Sequence, residues 1–232
     1  MNLIEQRICA WSVVVFLVLF GIGWVIMARF LPPHLPGASA MEIAAIYQQN
    51  TVWIRAGLAL AMLGSAFIVP FIVLISAQMR RIQGAGSLLA NTQMICGSVG
   101  VMMIFTVPFM AWETIAFRPD RPVEIILAIS DFAWLMFAMT LSPALVQFLS
   151  LGIAILLDRS PEPVFPRWAG FLNIWISVLA LPAGAIALFH SGPFAWNGVL
   201  AFWLPVGLFV VWLFVMFFLL LKMIRKQEAI AQ

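Results

Sequence analysis

Charged residues are scarce in this chain of 232 residues: Asp, Glu, Lys and Arg together make up 9% of it. Soluble domains carry about 25% charged residues. Hydrophobic residues make up 64%, and the mean hydropathy is +1.09. The shortage of charge excludes an ordinary soluble domain and indicates an integral membrane protein. The basic residues lie at the ends of apolar runs rather than on one face, so we expect no nucleic-acid partner.

Histidine and cysteine are nearly absent as well. The chain has two of each. His34 and His190 fall in loops, where we expect exposed side chains, and they are too few for a membrane di-iron enzyme. Cys9 and Cys96 have no paired spacing that would suggest a metal site or a disulfide. No serine has a base beside it in the sequence. We therefore expect no metal and no cofactor, and an enzymatic role is not favoured.

Long apolar runs are abundant, by contrast, and each can cross a bilayer, which takes about 20 residues. They lack the polar–apolar alternation of a barrel strand. The sequence therefore predicts an all-α bundle that forms a single transmembrane domain over residues 1–232. We interpret the first run as a retained span, since it is too long for a signal peptide. The six predicted spans cover residues 10–31, 53–77, 88–117, 123–157, 168–189 and 196–221.

Basic residues predict the orientation of these spans. Six spans put both termini on one side of the membrane. That side carries eight Lys and Arg residues, and the other side carries four. By the positive-inside rule we expect both termini in the cytoplasm. Tryptophans near span ends, among them Trp24, Trp53 and Trp112, fit an aromatic belt at the membrane surface.

Three local patterns predict packing details. Ser39 and Glu42 form a capping box, so a short helix should begin there before the second span. Gly57, Ala61 and Ser65 recur every four residues and form a stripe that lets another helix approach closely. Five spans each contain an internal proline, which permits a bend. These bends are either packing kinks or broken helices around a cavity. The five prolines are Pro70, Pro108, Pro143, Pro182 and Pro205.

Polar residues inside the outer halves of spans two, three and four are the candidate ligand-binding site. Arg55, Glu113 and Asp131 are charged residues within apolar runs, where ionisable groups are costly and are paired, neutralised or functional. Thr106 shares a helix face with Glu113, and Ser142 lies on the face of Asp131. We expect these five residues to line an outward-facing pocket, although a structural ion pair between Arg55 and an acid would explain the charges too.

The last third of the chain resembles a group of uncharacterised bacterial six-span membrane proteins. The resemblance covers about residues 160–215 and rests on two segments: 165–170, of sequence Phe-Pro-Arg-Trp-Ala-Gly, and 192–198, of sequence Gly-Pro-Phe-Ala-Trp-Asn-Gly. We associate this group with bacteria that degrade steroids and other hydrophobic compounds. It implies a multi-pass protein of the bacterial inner membrane and no particular activity.

Together these features favour a protein that binds or passes a small, largely apolar molecule, or an accessory subunit of a membrane complex. A proton-coupled secondary transporter that uses Asp131 or Glu113 is an alternative, and a membrane enzyme acting on a hydrophobic substrate is another. The expected partners are the lipid bilayer, a small apolar ligand, and a protein partner or a second copy of the chain.

Overall fold

A computed structural model describes residues 2–231, with side chains described through residue 229. Within this range the chain is helical and contains no strand. Six of the helices are long and apolar enough to cross a membrane, which indicates a multi-pass membrane protein. Span one is Leu3–Met27, span two Thr51–Met79, span three Ser87–Phe117, span four Val123–Leu157, span five Arg167–Leu188 and span six Val199–Ala229.

The bounds of spans one and six differ most from the sequence-based ones. Span one begins at Leu3, seven residues earlier than residue 10, because the Asn2 side chain caps the helix by accepting a hydrogen bond from the amide of Ile4 (2.9 Å). It ends at Met27, because Arg29 takes a positive φ of 58° that no helix can contain. Span six starts at Val199, after a turn at Gly192 with φ of 82°. The polar ends of a helix are set by caps and turns, which hydropathy does not detect.

The first and last spans meet at the end of the bundle that carries both termini, here called the termini side. Arg7 in span one forms an ion pair with Glu228 in span six at 2.6 Å. Gln6 donates a hydrogen bond to Gln227 at 2.9 Å. These contacts place the two termini on one side, as an even number of spans requires. The structure contains no membrane, so which side faces the cytoplasm stays a prediction.

A short helix, Ala40–Gln49, covers the opposite side of the bundle between spans one and two; we call it the cap helix. It begins at the predicted capping box: the Ser39 side chain accepts from the Glu42 amide, and Glu42 accepts from the Ser39 amide at 2.7 Å. The cap helix turns Ile43 and Tyr47 into the protein and packs against span four. It is therefore a separate element that closes one end of the bundle.

The small-residue stripe of span two packs against span one, as the sequence predicts. A side chain added at Gly57 would come within 2.8 Å of the Ala28 amide nitrogen, and one at Gly23 within 2.7 Å of the Ala61 amide nitrogen. Ala61 itself is fully buried. The two backbones approach so closely because neither helix has a large side chain there.

Candidate functional site

Each of the six spans contains a break or a segment of π-helix or 3-10 helix, within its length or at one end. Span one passes from α-helix into a π-helical segment at Gly21–Met27, span three at Met102–Thr106, and span six begins with one at Val199–Trp203. Span two breaks between Ser65 and Ile68. The remaining two interruptions are a break in span four between Met139 and Ser142, and a 3-10 segment, Leu181–Leu188, in span five.

Proline explains five of the six interruptions. A proline lacks the amide hydrogen of the helix ladder and clashes with the carbonyl four residues before it. For Pro108 that carbonyl belongs to Ile104, and for Pro205 to Ala201, and both lie in the π-helical segments. Span one has no proline, and its π-helical segment begins at Gly21. Of the two explanations that the sequence left open, broken helices around a cavity describe the structure.

The cavity lies at the interruptions, between the spans, and is partly open to the outside of the bundle. It has a volume of about 180 Å³ and is lined by residues of all six spans. We call it the central cavity. The residues beside the interruptions that line it are Trp24, Ile68, Ile104, Phe105, Ala138, Leu141, Ala180, Ala201 and Phe202. Irregular backbone inside a membrane is tolerated where it is buried in protein or faces a cavity, so the breaks and the cavity belong to one arrangement.

Polar groups are rare in the cavity wall. Gln147 of span four has its amide against Gly97 of span three, where a side chain would come within 3.0 Å of the Gln147 amide carbon. Trp24 contributes an indole ring. The indole of Trp212 already has a hydrogen-bond partner, because its Nε1 donates to Asn173 at 2.9 Å. A volume near 180 Å³ with apolar walls suits a small aromatic or alicyclic molecule, since an engineered apolar cavity of about 150 Å³ binds benzene.

The five residues predicted from the sequence lie outside this wall. Arg55 and Glu113 do meet: Nε and Oε1 are 3.7 Å apart, and the guanidinium also lies over the ring of Phe117 at 5.1 Å. Both side chains are partly exposed, so the pair contributes at most about 1 kcal/mol to stability. Thr106 is partly buried, and Ser142 is exposed.

Asp131 does not join this pair. Among the described residues it forms no ion pair within 4.0 Å, and the side chain that interacts with its charge is His190, after span five. Span four packs against span three and the cap helix on one side and against the 3-10 segment of span five on another. Asp131 therefore faces span five, and Arg55 is paired with Glu113 instead. A ligand-binding role for Arg55, Glu113, Asp131, Thr106 and Ser142 stays a prediction.

A second feature adjoins the central cavity on the side of the cap helix. Six aromatic rings pack there, and we call them the aromatic cluster: Trp24, Phe30, His34, Tyr47, Trp112 and Trp134. Phe30 lies in its centre, with its ring 4.7 Å from that of His34 and 5.1 Å from that of Trp112. Trp24 belongs to both the cluster and the cavity wall. The cluster therefore separates the cavity from the cap helix.

Two expectations from the sequence are wrong here. His34 was expected to be an exposed loop histidine, and it is 8% exposed, with its carbonyl accepting from Trp196 Nε1 at 2.8 Å. Burial lowers the pKa of His34 from 6.5 to about 4, so the imidazole is neutral at pH 7. Trp24 and Trp112 were expected at the membrane surface, and both are buried. The loop that contains His34 folds back onto the ends of the spans, and no local sequence pattern predicts this.

Clusters of metal-binding side chains are not found in the described part of the chain. Comparison of the chain with protein-family models, with curated proteins and with solved structures finds no match.

Proposed function

We propose that this protein binds a small, largely apolar molecule in the central cavity. The observation that supports the proposal is the convergence of six interrupted spans on one cavity of about 180 Å³ with an apolar wall. Gln147 gives the wall one amide that orients a polar substituent.

A matched pair of glycine substitutions tests this proposal. Gly100 lines the cavity, and a side chain there meets nothing closer than Pro143 at 3.8 Å, so Gly100→Leu fills the space without a backbone clash. Gly207 is exposed, lies outside the wall and has nothing within 4 Å of an added side chain. Gly207→Leu is therefore the control for adding a leucine to a span.

The probe is 4-fluoroethylbenzene, followed by ¹⁹F NMR with the full-length protein in detergent. Specific binding gives a saturable shifted signal, whereas partition into micelles does not saturate. We expect Gly100→Leu to weaken binding at least tenfold and Gly207→Leu to leave it unchanged. A signal that never saturates, or one that both variants affect equally, rejects the proposal.

Passage of the ligand is a second candidate, favoured by the interruption of all six spans at the cavity. Secondary transporters build their sites from discontinuous helices near the middle of the membrane. Neither Asp131 nor Glu113 belongs to the cavity wall, so the proton-coupled form has less support than binding alone. The test uses proteoliposomes that contain a pH-sensitive dye. When 4-fluoroethylbenzene is added, a protein that only binds it causes no change in luminal pH, whereas a proton-coupled transporter changes the luminal pH.

We further propose that the protein resides in the bacterial inner membrane with both termini in the cytoplasm. The excess of basic residues on the termini side supports this orientation. Cysteines introduced at Ser191, in the loop before span six, and at Ser87, the first residue of span three, lie on opposite sides of the bundle. A membrane-impermeant maleimide applied to intact cells should label the first and not the second, and the reverse pattern rejects the orientation.

A further inference from the structure

Five buried polar atoms in the aromatic cluster have no hydrogen-bond partner among the described residues. They are the indole Nε1 atoms of Trp24, Trp112 and Trp134, the Nδ1 atom of His34 and the hydroxyl of Tyr47. Ser130 lies beside that hydroxyl, but not in the geometry of a hydrogen bond. Buried polar groups are nearly always paired, and leaving one unpaired costs about 1–3 kcal/mol. Five in one cluster indicate a missing partner rather than five independent defects.

The rings that carry the five groups pack against one another, and the Trp24 ring also lines the cavity. The ring of Trp134 is 4.8 Å from that of Trp112, 5.4 Å from that of His34 and 6.4 Å from that of Trp24. The ring of Tyr47 is 6.2 Å from that of His34. Every member therefore lies within two rings of Trp134. The groups come from spans one, three and four, from the loop after span one and from the cap helix. Only the complete fold brings them together.

The aromatic cluster is continuous with the central cavity. Trp24 lines the cavity, and so does Phe137, whose ring is 5.2 Å from that of Trp24 and 5.6 Å from that of Trp112. The contact between Trp24 and Trp134 is the longest of the three that Trp24 makes with other rings. A ligand in the cavity thus has its nearest access to the unpaired donors beside Trp24.

The chemistry of the donors defines what they would bind. An indole nitrogen donates a hydrogen bond and cannot accept one, so three of the five groups require an acceptor. The phenol and the imidazole can each donate as well. The cluster contains no Lys or Arg, and its histidine is neutral at pH 7 because it is buried. A neutral oxygen acceptor fits this set better than a carboxylate, which would lack a counter-charge, or than an ammonium group, which offers no acceptor.

We propose that the ligand of the central cavity carries a carbonyl or hydroxyl oxygen that accepts a hydrogen bond from the Trp24 indole, the unpaired donor of the aromatic cluster in the cavity wall, while its apolar body occupies the cavity. The ligand class is therefore a small apolar molecule with one neutral oxygen-bearing group. This inference rests on the proposed function and specifies which apolar molecules the site selects. Recognition would come from donors that are unpaired until the ligand arrives, so molecules without the oxygen leave them unpaired.

A matched pair of probes separates the two proposals. 4-Fluoroacetophenone and 4-fluoroethylbenzene have the same ring and nearly the same size, and they differ by the carbonyl oxygen. With the full-length protein in detergent, we expect ¹⁹F NMR to give at least tenfold tighter saturable binding for the ketone. If the two probes bind equally, the cavity binds apolar molecules and the role of the cluster is overturned. If neither binds, the proposed function fails and this inference fails with it.

Two further measurements test the cluster itself. Trp24→Phe removes the donor in the cavity wall and keeps an aromatic ring, so it should weaken binding of the ketone at least threefold more than binding of the hydrocarbon. The retained hydrocarbon binding also verifies that the variant is folded. In ¹⁵N-tryptophan-labelled protein, indole N–H signals of Trp24, Trp112 or Trp134 should move downfield with the ketone only. No such movement, or tighter binding of (4-fluorophenyl)trimethylammonium than of the ketone, overturns the proposal.

Discussion

The amide side chains that join the termini side and the aromatic cluster at the opposite end treat their buried polar groups in opposite ways. On the termini side, three amide side chains bond to one another. Gln78 donates to Gln6 at 2.7 Å, Gln6 donates to Gln227 at 2.9 Å, and Gln227 reaches back to Gln78 at 3.5 Å. Arg81 donates to the Gln78 oxygen as well, at 2.7 Å. This amide triangle joins spans one, two and six with its hydrogen bonds satisfied.

At the opposite end, the aromatic cluster buries the five polar groups described above and pairs none of them. Gln6 and Gln78 are buried as well, at 3% and 0% exposed, so the difference does not come from the exposure of these residues. A satisfied network fixes helices against one another, because each broken bond would leave a buried group without a partner. Unpaired polar groups in a buried cluster cost stability in the free protein, and an added partner would remove that cost. The comparison supports a structural role for the amide triangle and the proposed binding role for the aromatic cluster.

Breaking the amide triangle should have the largest effect. Gln78→Leu removes the residue that both other amides and Arg81 contact. It also leaves the buried side-chain oxygen of Gln6 without the hydrogen bond that Gln78 donates to it. We expect a loss of about 3 kcal/mol in the free energy of unfolding, since each buried group left unpaired costs about 1–3 kcal/mol. Thermal unfolding in detergent measures it.

The control for that variant is Gln83→Leu, at an exposed glutamine in the next loop. It should change stability by less than about 0.5 kcal/mol. Equal stability of Gln78→Leu and the wild-type protein would mean that the triangle does not hold the termini side together.

The second prediction concerns the contact that brings Trp24 into the aromatic cluster. Ala61→Leu should destabilise the protein by about 1–3 kcal/mol through overpacking, because Ala61 lies against the backbone of Gly23. It should also displace span one and weaken probe binding in the cavity. Leu63→Ala, at an exposed position of the same span, is the control. Wild-type thermal stability of Ala61→Leu would show that the stripe tolerates a wider separation.

Acid should weaken the end that contains the aromatic cluster and not the amide triangle. The pKa of His34 is lowered to about 4 in the folded protein, below 6.5 in the unfolded chain, so protonation favours unfolding. The stability that neutral His34 contributes is complete above pH 6.5 and is lost as the pH falls toward 4. The loss should reach about 2 kcal/mol at pH 5, since one pKa unit corresponds to about 1.4 kcal/mol.

A variant without His34 isolates this effect from other titrating groups. Thermal unfolding of the wild-type protein and of His34→Leu is compared at pH 7.5 and at pH 5. The wild-type protein should lose more stability in acid than the variant, because the variant has no imidazole at position 34 to protonate. Parallel pH dependence in both proteins would assign the acid sensitivity elsewhere.

The fold could be predicted from the sequence much further than the site. Long apolar runs are enough to predict the six spans, and the Ser39–Glu42 pair is enough to predict where the cap helix begins. Both signals are local in the sequence. The internal prolines also predict where helices break. The aromatic cluster could not be foreseen, because a buried Trp24 and a surface Trp53 occupy equivalent positions in the sequence. Only the return of the loop through His34 onto the span ends distinguishes them.

The smallest expected effect is the most informative for the comparison. Tyr47→Phe deletes a buried hydroxyl that has no hydrogen-bond partner, and the ring that fills the space remains. Deleting a paired hydroxyl usually costs about 1 kcal/mol, whereas deleting an unpaired one should cost nothing or stabilise the free protein slightly. Thermal unfolding without any probe should therefore show no loss. A loss near 1 kcal/mol in the free protein would mean that the hydroxyl already has a partner, such as Ser130 or an internal water. The aromatic cluster would then have four unpaired groups rather than five, and its contrast with the amide triangle would be weaker.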